Sequence, residues 1–187
     1  MPRWLIDDDM SLCTEAEVVR LLPLVSEQRR TQALRYKHVF GQYCCLRSWM
    51  MLKELLNREG MLQEWQYNEH GKPFLPDGPF FSISHCKEGI AVVVDEQPVG
   101  IDIEHIRHLD PGLIERTMSA RERELIHDAR DFTRLWTRKE AVVKAQGVGI
   151  CSFEQLQHVL ENLDYSVQTV EKEKYIYSIV CKNTKAK

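Results

Sequence analysis

The spacing of hydrophobic positions changes along the chain. Apolar residues recur every three or four positions over residues 39–56, which predicts one long helix. Three later segments are short, and either alternate apolar with polar residues or are rich in β-branched residues, as is typical of strands. They are residues 80–84, 90–94 and 99–103. The turn-forming residues 95–98 between the last two stretches predict a hairpin.

Weaker patterns flank this central region. They predict an opening strand at residues 4–6, two N-terminal helices capped by Ser11 and Ser26, an extended segment at 65–68, helices starting near 111, 119 and 131, and closing strands at 166–170 and 175–180. Because helices and strands are mixed without a regular βαβ rhythm, the sequence predicts an α+β fold.

The composition is that of an ordinary globular protein. The chain has 187 residues, 43% of them hydrophobic and 28% charged, which favours one domain or two small lobes that share a core. A net charge of -3 gives no general reason to expect nucleic-acid binding. No apolar run approaches the roughly 18 residues that span a membrane. Acidic residues stand where a signal peptide would be apolar, so we expect a cytoplasmic protein without a membrane anchor.

The cysteines do not form a recognisable pattern. None of the six is part of a CxxC pair or has the spacing of a zinc site. Cys44 and Cys45 fall inside the predicted long helix. We therefore expect reduced thiols that serve as small apolar residues.

Two acidic residues stand out on the strand predicted at 99–103. Successive side chains of a strand alternate between faces, so Asp102 and Glu104 share one face while Ile101 and Ile103 point into a core. Adjacent carboxylates repel each other unless positive charge lies between them. This favours a divalent-cation site, and the alternative is a solvated strand face.

The helix predicted from residue 131 carries a second group. Trp136, Glu140 and Lys144 follow each other at intervals of four, so they share a face. An exposed ion pair between Glu140 and Lys144 is the alternative, worth only about 0.3–0.5 kcal/mol. The large aromatic ring on the same face indicates partial burial. Gly147 and Gly149 then predict the end of the helix.

A third group offers hydrogen-bond donors that suit a phosphate. One predicted strand ends in Ser84 and His85. Lys72 precedes Pro73, which holds the lysine backbone extended. A structural histidine and a solvated lysine are the alternatives.

Taken together and in this order, these segments resemble the 4′-phosphopantetheinyl transferase superfamily. The resemblance is to its larger single-chain branch, typified by the surfactin synthetase activator. The matching pieces are Gly71-Lys72-Pro73, Ser82-Ile83-Ser84-His85, Gly100-Ile101-Asp102-Ile103-Glu104, and Trp136-Thr137-Arg138-Lys139-Glu140 followed by Lys144. No single piece is specific, and their joint order and separations carry the resemblance.

The resemblance implies a fold and a reaction. The fold has two similar α+β lobes related by a pseudo-twofold axis, here residues 1–103 and 104–187, with the active site in the cleft between them. The reaction is a magnesium-dependent transfer of 4′-phosphopantetheine from coenzyme A to a serine of an apo-acyl or apo-peptidyl carrier protein. 3′,5′-ADP is the leaving group.

The resemblance also implies roles for individual residues. Asp102, Glu104 and Glu140 would bind Mg²⁺, and Glu140 or a water molecule beside it would accept the serine proton. Lys144 would contact the reacting phosphate. Lys72, Ser84 and His85 would contact coenzyme A, the lysine and the histidine near its 3′-phosphate. Further basic contacts are expected among N-terminal residues that the motifs do not align, namely Arg29, Arg35, Lys37, His38 and Arg47.

Three other interpretations remain to be weighed. A homologue that binds coenzyme A or a carrier without catalysis would not need Asp102, Glu104, Glu140 and Lys144 together. A different magnesium-dependent phosphoryl enzyme would show a P-loop or a nucleophilic aspartate motif, and the sequence has neither. The short trimeric carrier-protein synthases are closer, but 187 residues can hold both lobes, which favours a monomer. The sequence leaves the carrier and its pathway open.

Overall fold

The computed structural model describes residues 1–57, 64–106, 108–149, 152–161 and 164–183. The strands are β1 (Arg3–Asp7), β2 (Gln66–Tyr67), β3 (Pro73–Phe74), β4 (Phe80–Cys86), β5 (Gly89–Asp95), β6 (Val99–His105), β7 (Tyr165–Glu171) and β8 (Tyr175–Lys182). The α-helices are α1 (Glu15–Leu21), α2 (Glu27–Leu34), α3 (Val39–Leu55), α4 (Pro111–Thr117), α5 (Ala120–Arg123), α6 (Ala129–Gln146) and α7 (Phe153–His158). This mixture of elements confirms the predicted α+β class.

The first sheet has the antiparallel strand order β1-β5-β4. Its central strand β5 is buried along its whole length, because both of its faces are covered. Val92 and Val94 pack in one apolar cluster with Trp49 and Leu52 of α3. Ala91 and Val93 face the opposite way, into a cluster shared with the second sheet. A β-branched run without polar alternation is what such a doubly covered strand requires.

The second sheet has the antiparallel order β6-β8-β7. Ile101 and Ile103 of β6 point into the cluster shared with the first sheet. The other face of this sheet is covered by α6, where Ala141 and Ala145 pack against Val180 of β8. The predicted alternation on β6 therefore holds: apolar side chains on one face, and the side chain of Asp102 on the other.

The predicted hairpin between β5 and β6 is wrong. β5 pairs with β1 and β4, whereas β6 pairs with the distant strand β8 near the end of the described chain, from Val99 opposite Cys181 to His105 opposite Tyr175. Residues 95–98 instead connect two different sheets. β5 and β6 do not pair through their backbones; their apolar side chains pack against each other between the two sheets. The hairpin in this region joins β4 to β5 through the pair Cys86 and Gly89.

The helix starts were predicted with mixed success. Ser26 caps α2, where its Oγ accepts a hydrogen bond from the Arg29 amide at 3.1 Å. Ser11 does not cap α1, because it lies in a short 3₁₀ turn, and Thr14 takes that role by accepting from the Glu17 amide at 3.2 Å. Both residues satisfy the same capping preference, so the sequence alone does not separate them. Helix α7 was not predicted.

The described cysteines are free thiols. They are Cys13, Cys44, Cys45, Cys86 and Cys181, and Cys151 lies outside the described residues. Cys44 and Cys45 lie in α3, as expected. Burial raises the pKa of the Cys44 thiol to about 12, which makes it an inert, apolar residue at neutral pH.

Within the described ranges, no helix is both long and apolar enough to cross a membrane. The division into lobes at residues 103 and 104, and their pseudo-twofold relation, stay predictions.

Candidate active site

Helix α6 lies unusually close to β6, and Gly100 is the reason. A Cβ atom at this position would lie 1.9 Å from the Ala141 carbonyl oxygen and 2.6 Å from the Ala145 nitrogen. Any other residue would push the helix away from the strand. The close approach brings the last turns of α6 beside the carboxylate of Asp102.

Three side chains from three elements meet at this contact. Lys144 of α6 donates to Asp102 Oδ1 of β6 at 2.6 Å and to Ser84 Oγ of β4 at 2.9 Å. Ser84 Oγ in turn donates to Asp102 Oδ1 at 2.8 Å. The Asp102 side chain is only 4% exposed and that of Lys144 is 29% exposed, so the carboxylate is largely removed from water while the lysine is half-buried.

Acidic groups accumulate next to this ion pair. Burial raises the pKa of Glu140 to about 7, and the negative charges of Asp102 and Glu104 act in the same direction while Lys144 opposes them. The structure thus brings the three predicted metal ligands within electrostatic reach of one another. Asp102 Oδ2 is buried and has no hydrogen-bond partner in the part of the chain that the structure describes. A buried carboxylate oxygen without a donor is costly and therefore marks a place where a positive group would bind.

The donor set suits a hard divalent cation, although its geometry is not ready-made. Among the described residues, no group of three or more His, Cys, Asp or Glu side chains is arranged to hold a metal ion. The available donors are nevertheless all carboxylate oxygens, which Mg²⁺ prefers. A cation bound here would offset the mutual repulsion of Asp102, Glu104 and Glu140 and would contact the bare Asp102 Oδ2. By chemistry, Asp102, Glu104 and Glu140 fit magnesium.

A pocket of about 270 Å³ opens beside these groups. It is bounded by the turn before β3, by β4 and by the end of α6, and Glu140 and Lys144 form part of its wall. Lys72 lines the same pocket, where burial lowers its pKa to about 8. Lys72 and Lys144 thus present two cationic side chains to one cavity.

His85 lines a second, smaller pocket of about 160 Å³. The two pockets adjoin, since Pro73 and Ile83 line both. The imidazole stacks on Phe40 with ring centroids 5.7 Å apart. Burial, followed by the charge of Lys144, lowers the pKa of His85. The structure therefore places His85 and Lys72 in neighbouring pockets rather than in one.

The N-terminal basic residues differ in their surroundings. Arg29 is 1% exposed, lies 3.6 Å from the ring centroid of Trp65 and 4.8 Å from that of Trp49, and pairs with Glu64 at 3.4 Å. It also lines the smaller pocket. Arg47 is ion-paired with Asp7. The other three residues, Arg35, Lys37 and His38, are exposed.

Sequence reasoning missed a buried lysine directly beside Glu140. Lys139 is fully buried, and its Nζ donates to Glu122 Oε2 at 2.7 Å and to the Leu156 carbonyl at 2.6 Å. Glu122 also completes a capping box with Ser119 at the start of α5. The Ser-x-x-Glu spacing was a visible signal for the cap. Nothing in the sequence indicates that the same carboxylate neutralises a lysine of α6.

Comparison with known proteins agrees with the site. Residues 98–182, which include β6 and α6, match the sequence profile of the 4′-phosphopantetheinyl transferase superfamily. The chain is 28% identical over 149 residues to the 4′-phosphopantetheinyl transferase Sfp of Bacillus subtilis, a match that covers 73% of this chain and 66% of the relative. It is 32% identical over 141 residues to the transferase gsp of Aneurinibacillus migulanus, covering 67% and 57%. It is 38% identical over 112 residues to the transferase AcpT of Salmonella typhi, covering 54% and 58%.

The chain thus spans just under two thirds of the length of the Sfp relative and less of the other two. The matched profile covers the strand and the helix that bring Asp102, Glu140 and Lys144 together. On these grounds the chain is similar to the 4′-phosphopantetheinyl transferase superfamily, and in particular to the relatives of its Sfp-like branch.

Proposed function

We propose that this protein transfers 4′-phosphopantetheine from coenzyme A to a serine of an apo-carrier protein, with magnesium as cofactor, and releases 3′,5′-ADP. One observation carries the proposal. Lys144, Asp102 and Ser84 form a hydrogen-bonded cluster beside Glu140, on the wall of a pocket that Lys72 also lines. An arrangement of carboxylates and lysines around a cavity suits a reaction in which phosphate charge must be neutralised.

The two adjoining pockets support a ligand with several phosphates. The larger pocket presents Lys72 and Lys144, and the smaller one presents His85 and Arg29. Hydrogen bonds from cationic side chains to phosphate oxygens are among the strongest in proteins. Coenzyme A carries a pyrophosphate and a separate 3′-phosphate, so it would engage cations in both pockets.

Asp102, Glu104 and Glu140 would hold the magnesium ion. When bound, the ion would neutralise charge on the phosphate oxygens and so favour departure of 3′,5′-ADP. Asp102 Oδ2 is buried without a hydrogen-bond partner among the described residues, so this oxygen remains available to such an ion.

The transfer itself requires one bond to form and one to break. The serine oxygen of the carrier forms a bond with the β-phosphorus of coenzyme A, and the bond from that phosphorus to the oxygen of 3′,5′-ADP breaks. The Glu140 carboxylate, directly or through a water molecule beside it, would accept the serine proton. Lys144 donates to the transferring phosphate, where its charge stabilises the transition state.

The nucleophile comes from the partner. The sequence contains no convincing Ser-His-Asp or Cys-His set, which agrees with a reaction in which the carrier provides the hydroxyl. Acyl and peptidyl carriers are both suitable substrates. We further propose that the enzyme acts as a cytoplasmic monomer and takes neither nucleic acid nor membrane as a partner.

A panel of apo-carriers from fatty-acid, polyketide and nonribosomal peptide synthesis tests the proposal. After incubation with coenzyme A and magnesium, the intact mass of at least one carrier should rise by a single phosphopantetheine group. The same carrier with its acceptor serine replaced by alanine should not change. If coenzyme A binds tightly and every carrier in the panel stays unmodified, the protein is a binding homologue and the proposal is wrong.

A further inference from the structure

The turn that carries Lys72 is organised by a single side chain, that of Asn68. Asn68 Oδ1 accepts hydrogen bonds from the backbone amides of Lys72 at 2.8 Å and of His70 at 3.0 Å. The backbone closes the same turn, since the Asn68 amide donates to the Lys72 carbonyl at 2.9 Å. The side-chain oxygen therefore fixes the conformation of residues 68–72.

The other end of the same amide group reaches a distant element. Asn68 Nδ2 donates at 2.8 Å to the carbonyl of Gly147, a residue 79 positions away that caps the C-terminal end of α6. Lys72 Nζ approaches the Ala145 carbonyl of the same helix end at 3.4 Å. The last carbonyls of a helix have no partner within it and carry partial negative charge, so they attract such donors.

Gly147 makes this contact possible. Its φ of +75° ends the helix in the left-handed region, where glycine is favoured. A Cβ atom added there would lie 3.2 Å from Lys72 Cδ and 3.5 Å from Asn68 Nδ2. The bare backbone of the helix end is thus the surface on which Asn68 and Lys72 pack.

We propose that Asn68 is a positioning residue, which docks the turn of residues 68–72 on the end of α6 and so holds Lys72 in the pocket beside Glu140 and Lys144. The inference rests on the proposed coenzyme A site, to which Lys72 contributes. Asn68 itself is not among the residues that line either pocket. It acts through Lys72, because it contacts both the lysine backbone and the helix against which the lysine side chain lies.

Two substitutions separate the two functions of the amide. Asn68→Asp keeps an oxygen for the His70 and Lys72 amides but replaces the donor to Gly147 with an anion that the helix C-terminus repels. Asn68→Ala removes both functions. Glu69→Ala is the matched control on the same turn, since the Glu69 side chain is 85% exposed.

Calorimetry with coenzyme A and amide hydrogen exchange provide two independent readouts. Asn68→Asp should weaken coenzyme A binding about tenfold and raise KM to the same extent, with kcat within about twofold. In a Lys72→Ala background the same substitution should not weaken coenzyme A binding further, because the lysine side chain that Asn68 positions is absent. Asn68→Ala should also speed exchange of the His70 and Lys72 amides, whereas Glu69→Ala should change neither readout.

If Asn68→Asp weakens coenzyme A binding in the Lys72→Ala background as much as it does in the wild type, the inference is wrong. It is also wrong if Asn68→Asp alone leaves coenzyme A binding unchanged. Failure of the wild-type protein to bind coenzyme A would instead remove the proposed function. In that case the exchange measurement alone decides about Asn68: faster exchange of the Lys72 amide in Asn68→Ala supports its organising role, and unchanged exchange overturns it.

Discussion

Lys144 Nζ lies 2.6 Å from Asp102 Oδ1, although the two residues are 42 positions apart in the sequence. The contact joins the acidic strand β6 to the motif on α6, which the sequence presents as separate patterns. A surface ion pair of this kind would have little effect on stability. Here the carboxylate is buried, and the half-buried lysine lies beside Glu140 on the wall of a pocket, where it can contact a bound phosphate.

Replacement of Lys144 should therefore act on catalysis more than on binding. Lys144→Ala is expected to lower kcat at least about 100-fold while the Kd for coenzyme A changes only a few-fold, because the charge is needed most in the transition state. Lys172→Ala, an exposed lysine in the turn between β7 and β8, is the control and should behave as wild type. Steady-state kinetics and calorimetry measure the two effects. A loss confined to KM would mean that Lys144 only binds substrate.

Gly100 should be intolerant of even the smallest side chain. Gly100→Ala places a methyl group 1.9 Å from the Ala141 carbonyl oxygen, so α6 must move away from β6. We expect the free energy of unfolding to fall by about 3 kcal/mol or more. Gly112→Ala on α4 is the matched control, as its nearest contact would be Asp110 Oδ1 at 3.4 Å. This control should be neutral or slightly stabilising. Urea unfolding of both variants checks the prediction, which fails if they are equally stable.

The acidic cluster should reduce stability until a cation binds. Glu140→Gln removes a buried carboxylate that is close to Asp102 and Glu104, so it should raise the melting temperature in the presence of a chelator while abolishing turnover. Magnesium should raise the melting temperature of the wild type but not that of the variant. Thermal unfolding with and without magnesium measures both. An identical response of the two proteins to magnesium would contradict the assignment of Glu140 as a ligand.

Coenzyme A affinity should depend on pH through Lys72. Burial lowers the pKa of this lysine to about 8, so the free protein has the charged form below that value and loses it as the pH rises further. Loss of the Lys72 charge should therefore increase the Kd for coenzyme A between about pH 8 and 9. Lys72→Arg keeps its charge over this range, so its affinity should stay level. If the Kd for coenzyme A increased with pH in the same way in both proteins, a group other than Lys72 would be responsible for the pH dependence.

Local patterns in the sequence were sufficient for much of the fold and for the choice of candidate site residues. The 3.6-residue period of α3 and the alternation on β6 are properties of one segment, so Asp102 and Glu104 could be assigned to a common face. The partner of β6 could not be predicted, since β-branched strands pair equally well with several others. The same limit applies to the buried Lys139 and to Arg29 between two tryptophans. Both depend on residues from distant segments that neutralise or cover a charge.

The most direct test counts the products of the reaction. With magnesium, coenzyme A and an apo-carrier, the amount of 3′,5′-ADP released should equal the amount of carrier that gains a phosphopantetheine group, at every time point. Glu140→Gln should abolish both products together, and a carrier that lacks its acceptor serine should yield neither. Release of 3′,5′-ADP without modification of the carrier would show that the site hydrolyses coenzyme A and would contradict the transferase assignment.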